Sequence, residues 1–186
     1  MFLSAAITGL AVENPVFARA LGISSDGLLM KSRQQGIILG LSLTLMALFT
    51  SLAVAAWEGL ELPTGSLRPI VYLSFACGFY LVMHYLARSP KIVGVRPMLK
   101  LSLFNTALFG AFYIPFSQGF GPAQAIGYAL GSGLGYTLSL LLLISARERL
   151  SLSSVPRSFR GLPILLVYMG LVSLALYGLI GQVLPT

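Results

Sequence analysis

The chain has 186 residues, 56% of them hydrophobic and 9% charged, with a mean hydropathy of +0.88. Soluble domains carry about 25% charged residues, so this composition cannot cover a water-facing surface, and lipid must serve as part of the solvent. That excludes a soluble enzyme, a disordered tail and a nucleic-acid-binding domain. The excess of 12 Lys+Arg over 5 Asp+Glu is therefore a matter of membrane topology, not of DNA binding. A single cysteine, Cys77, cannot form an internal disulfide or a thiolate cage within the chain.

Taken in order, the first apolar stretch covers residues 2–22 and is interrupted by Glu13, Arg19 and the Asn14-Pro15 pair. Nothing before Glu13 is charged, so it lacks the basic n-region of a signal peptide and is read as a span. Residues 34–57 carry no charge and are long enough to cross a bilayer core of about 30 Å. Residues 69–87 form a third run, interrupted only by His84. The 46 residues 101–146 are uncharged; as one helix they would reach roughly 69 Å. They make two spans, with the turn at residues 117–122, Ser-Gln-Gly-Phe-Gly-Pro. Residues 161–186 supply the last. The expectation is an all-α integral membrane protein of six transmembrane helices.

Orientation follows from the loops. Lys31 and Arg33 follow span 1, Arg88, Lys91, Arg96 and Lys100 follow span 3, and Arg147, Arg149, Arg157 and Arg160 follow span 5. The alternate loops hold Glu58, Glu61 and Arg68, or no charge at all. Basic loops stay in the cytoplasm, which places both termini on the outer, periplasmic side of a bacterial inner membrane.

The two halves, about residues 1–90 and 91–186 of a single membrane domain, resemble each other. Asn14 recurs as Asn105 and Gly36/Gly40 as Gly127/Gly131 at an offset of 91, and Pro69-Ile70 recurs as Pro163-Ile164 at 94. With three spans in each half, the second copy must lie inverted. The acidic Glu58 against the basic Arg149 at the same place agrees with that inversion. Inverted repeats build their site where interrupted helices from each half meet. Asn14-Pro15 and Asn105-Thr106 mark such breaks in spans 1 and 4. A polar Asn there bonds backbone groups freed by the break; the alternative is a direct role in an ion path. Glu13, an acid within a span, is an ion or proton site, half of a pair with Arg19, or the cap of a half-helix.

Further along, Arg147-Glu148-Arg149-Leu150, Val155-Pro156, Phe159-Arg160-Gly161 and the run from Gly170 to Ala175 resemble the RnfA/NqrE membrane subunits of the Rnf complex and of the sodium-translocating NADH:quinone reductase. Val12-Glu13-Asn14 with Leu21-Gly22 matches that family's opening motif, and Asn105 and Gly110 fit its fourth span. The resemblance implies six helices in two inverted repeats and an oppositely oriented homologous partner. It also implies flavin and iron–sulfur centres elsewhere in the complex, and electron transport coupled to sodium or proton movement. Family members carry a cysteine shortly after the Leu-Gly of span 1 and another after the Asn of span 4. Together with two from the partner, these hold an iron–sulfur cluster. Here those positions are Ser24 and Thr106. A hydroxyl is not a soft thiolate ligand, so no cofactor is expected on this chain alone. The contrasting expectation is a diverged stand-alone transporter or assembly factor.

Cys77 is expected to be a small packed residue, His84 an interfacial one, and Gly127, Gly131, Gly133 and Gly135 to line close helix contacts. The sequence holds no nucleophile–base pair, metal spacing or nucleotide motif, so any enzymatic role is that of one component in a larger complex.

Overall fold

The computed structural model describes residues 1–23, 30, 32–60, 67–87, 96–151 and 156–180. Among these there are helices and turns and no strand. We number the helices α1 (Phe2–Ile7), α2 (Arg33–Glu58), α3 (Arg68–Leu86), α4 (Arg96–Leu103), α5 (Thr106–Ser117), α6 (Pro122–Ser151) and α7 (Leu162–Ile180). At 1.5 Å per residue, α2 and α6 reach about 39 and 45 Å and α3 and α7 about 29 Å; all four are long and apolar enough to cross a membrane. Helices α4 and α5 are long and apolar enough only as a pair, bent by 48° at their junction. Helix α1 runs on through one wide turn, Thr8–Val12, as a short apolar segment.

Local chemistry sets the ends. Ser32 caps α2 by accepting from the Gln35 amide at 3.3 Å, which satisfies one of the amides that a first turn leaves open. Pro122 opens α6, where a missing N–H costs nothing. The wide turn before Glu13 is closed by Glu13 N donating to Thr8 O at 2.7 Å. It comes one turn ahead of Pro15, whose ring would collide with the carbonyl of Ala11 in a continued α-helix.

Two seams of small residues hold the middle together. Methyls placed on Gly127, Gly131 and Gly135 would lie 2.6, 1.9 and 2.8 Å from the carbonyl oxygens of Phe2, Ala6 and Leu10. So α1 lies parallel to α6 with backbones in contact. On another face of α6, Gly36 sits against Ile144, Gly40 against Thr137 and Gly133 against Thr44. Positions that rise along α2 fall along α6, so these two helices are antiparallel. Thr44 and Thr137 each donate back to the glycine carbonyl four residues earlier, at 2.8 and 2.9 Å. Each hydroxyl thus satisfies itself on its own helix while its side chain packs against the glycine of the neighbour. Without a hydrophobic force between helices in lipid, such close approach is what holds them.

The four glycines expected at close contacts are there. Helix ends share the offsets read in the sequence: α3 and α7 both span 19 residues at an offset of 94, and the segment ending at Val12 lies 91 residues before the end of α4 at Leu103. Three details differ from the sequence reading. Arg96 and Lys100 belong to α4 and not to a loop, because Pro97 in its first turn and the amphipathic run to Leu103 start a helix early. Arg147 and Arg149 likewise lie within α6, which continues to Ser151. Cys77 is exposed instead of packed, because α3 turns only Tyr72 and Ala76 fully inward. Glu61, Arg88 and Lys91 lie outside the described residues.

Candidate functional site

The first break is organised by Asn14, which is buried. Its Oδ1 accepts from the amides of Val16 and Phe17 at 3.0 and 3.2 Å and from the Ser139 hydroxyl at 3.0 Å. Its Nδ2 donates to Leu10 O at 3.0 Å and Gly135 O at 3.2 Å. One side chain thus closes the end of the first half-helix, starts the irregular turns after it, and ties both to α6. Those turns are stitched by Ala18 N to Asn14 O at 2.9 Å and Leu21 N to Pro15 O at 2.6 Å. Ala20 (φ +52) and Gly22 (φ +76) then reverse the chain.

The second break repeats the device. Asn105 is buried and extended (φ −93, ψ 124). Its Oδ1 accepts from Ala107 N at 2.9 Å, and its Nδ2 donates to the Tyr136 hydroxyl at 2.8 Å. Both asparagines therefore have their polar atoms bonded to freed backbone or to a partner on α6, as a break in a low-dielectric setting demands.

The two breaks meet. Gly22 N donates to Thr106 Oγ1 at 2.8 Å across 84 residues of sequence. A Cβ at Gly22 would lie 2.6 Å from the Tyr136 ring and 2.8 Å from Asn105 Oδ1, so only glycine fits this crossing. Of the two positions implied by the resemblance, Thr106 stands in this contact and Ser24 lies outside the described residues. Thr106 offers a hydroxyl that already accepts from an amide, and hydroxyls are poor ligands for cluster iron. Among the described residues no group of three His, Cys, Asp or Glu could hold a metal ion. Thr106→Val should lower stability by about 1–2 kcal/mol by orphaning the Gly22 amide, and Thr106→Ser should restore it. Thermal unfolding in detergent measures both.

Glu13 faces a different neighbourhood. Its carboxylate pairs with Arg19 at 2.8 Å and accepts from the Tyr128 hydroxyl at 3.0 Å. The group borders a cleft of about 430 Å³ between the first break and α7, lined by Glu13, Phe17, Arg19, Ser173 and Tyr177 among others. Of the readings open for Glu13, the pair with Arg19 is present. A second acid repeats the pattern, with Tyr72 donating to Glu58 and Arg68 3.8 Å from it. His84 lies beside Tyr80, with ring centroids 5.5 Å apart and the planes tilted by 33°. Sequence reasoning missed Tyr128, Tyr136 and Ser139. They lie among the glycines of α6, and only their spacing down one helix could have hinted that they serve the breaks.

A polytopic membrane protein with two interrupted segments, capped alike and crossing at a glycine, is the class this architecture defines. Residues 2–183 match the family model described as Rnf-Nqr subunit, membrane protein, and the chain belongs to that family. Among its relatives, the A subunit of the ion-translocating oxidoreductase complex of Aromatoleum aromaticum is 33% identical over 180 residues, covering 92% of each chain. The protein of the same name from Syntrophotalea carbinolica is 28% identical over 95% of each. The A subunit of the Na(+)-translocating ferredoxin:NAD(+) oxidoreductase complex of Acetobacterium woodii is 28% identical, again over 95% of each.

Proposed function

We propose that this chain is the A-type membrane component of an Rnf-type ion-translocating oxidoreductase complex, serving as scaffold and ion path. The end-to-end match to relatives that bear the A-subunit name carries this reading. In it, the chain crosses a bacterial inner membrane as six segments in two inverted repeats, with both termini outside. The antiparallel crossing of α2 and α6, whose equivalence rests on the 91-residue offset, supports the inversion, as do the matching breaks at Asn14 and Asn105. Helices α3 and α7, equivalent at an offset of 94, are the least covered of the long helices; they face lipid and neighbouring subunits. The partners are an oppositely oriented homologue in the membrane, together with other Rnf-like subunits, which supply the flavin and iron–sulfur centres.

Glu13 is the acid on the ion path in this proposal, with Asn14 and Asn105 holding the broken backbone beside it. Arg19 and Tyr128 hold the carboxylate in place until an ion displaces the pair. Glu13→Gln should leave assembly intact and reduce ion translocation by the complex at least tenfold. Normal transport by an assembled Glu13→Gln complex would remove Glu13 from the path.

The second reading, a stand-alone transporter or assembly factor, is favoured by the hydroxyl at Thr106. Extraction of the tagged chain from native membranes in mild detergent separates the two. Co-purification with a homologous membrane protein and with flavin- or cluster-bearing subunits supports the complex. Recovery alone or as a homodimer overturns it in favour of the second reading.

A further inference from the structure

We propose that the cleft between the end of α6 and the start of α7 binds the phosphate headgroup of an anionic phospholipid. The cleft encloses about 330 Å³, and its lining brings Arg147 and Arg160 together with Leu150, Ile164 and Leu165. Arg147 is half-buried and steadied by donating to Met30 O at 3.3 Å. Gly161 (φ +88) turns the chain into α7, which sets Arg160 beside the start of that helix, where backbone dipoles add partial positive charge. Glu148 is the one acid between residues 147 and 160. Its carboxylate is engaged by Arg33 at 2.8 Å, and it does not line this cleft. Ser151 also borders the cleft, but its hydroxyl donates to Glu148 O at 2.7 Å, so the two guanidinium groups carry the attraction for an anion.

The apolar half of the lining decides the source of the phosphate. Leu165 forms a buried wall, and the neighbouring Leu166 and Val167 on α7 are exposed, so an acyl chain leaving the cleft runs onto a lipid-facing helix. Linked ends of two membrane-crossing helices lie at the membrane surface, at headgroup depth. Basic pockets between such helices suit anionic headgroups. A free anion would use the arginines and leave the leucine wall idle.

The full-length chain in phosphatidylcholine nanodiscs is titrated with fluorescent phosphatidylglycerol, with phosphatidylcholine and inorganic phosphate as competitors. The expected result is at least tenfold preference for phosphatidylglycerol over phosphatidylcholine, lost in Arg147→Gln/Arg160→Gln and largely retained in Arg147→Lys/Arg160→Lys. Arg68→Gln, which removes an arginine that lines no part of this cleft, should titrate like the parent. Should the double glutamine variant fail to fold, the exposed Arg160→Gln alone should still weaken binding several-fold. Equal affinity for both lipids, an unchanged titration of the glutamine variants, or equally effective competition by inorganic phosphate would each overturn the proposal.

Discussion

Gly131→Ala should prevent the first segment from docking on α6. A Cβ there would sit 1.9 Å from the Ala6 carbonyl oxygen, 2.7 Å from its carbon and 2.9 Å from its Cα. All three are backbone atoms, so no rotamer change relieves the overlap and the helices must separate. Overpacking costs about 1–3 kcal/mol in ordinary cores; at a backbone contact the upper end or beyond is expected. Separation would also forfeit the van der Waals contact that replaces the hydrophobic force in lipid. The effect reads as a lowered unfolding midpoint in detergent and reduced recovery of the chain. Gly170→Ala is the matched control, because a methyl there meets nothing within 4 Å and should be neutral.

Asn14→Leu should be comparably damaging by a different route. The substitution fills the space but strands the Val16 and Phe17 amides, which bond Oδ1, while the Ser139 hydroxyl keeps its bond to Gly135 O at 2.8 Å. An orphaned buried polar group costs about 1–3 kcal/mol, and with both amides orphaned together roughly 3–5 kcal/mol is expected after partial compensation. Asn14→Asp keeps the acceptor and loses the donations to Leu10 and Gly135, so it separates the two roles of the amide. Unfolding midpoints of both variants, with Asn105→Leu alongside, measure this. Asn105 has fewer partners and should lose less.

What could be read in the sequence follows from what leaves a one-dimensional trace. Lipid excludes charge, so the uncharged run 34–57 marks α2 to within a residue at each end, and 69–87 marks α3 equally well. The breaks were legible because Asn14-Pro15 and Asn105 are chemically out of place in apolar segments. The bend itself was not, since hydropathy is blind to a kink between two equally apolar half-helices. Helix α4 is hidden because Arg96 and Lys100 look like loop residues, although a short amphipathic helix carries them on its polar face. The crossing of Gly22 and Thr106, and the reach of Tyr128 to Glu13 over 115 residues, are tertiary facts with no local signature. The first segment is interrupted where Asn14-Pro15 predicts, with the α-helix ending at Ile7 and one wide turn carrying it to Val12.

Because α1 and its break are completed by α6, the protein is finished late in its synthesis. Asn14 depends on Gly135 and Ser139, 121 and 125 residues further along. At about 5–20 residues per second, a ribosome takes roughly 6–25 s to make that stretch. During that interval the opening segment enters the bilayer with the Asn14 amide still without its partners on α6. Biogenesis therefore requires the insertion machinery, or a temporary neighbour, to shelter those polar groups until the glycine-lined helix arrives. A chain cut short before α6 should be surrendered to membrane proteolysis however well its first half is made.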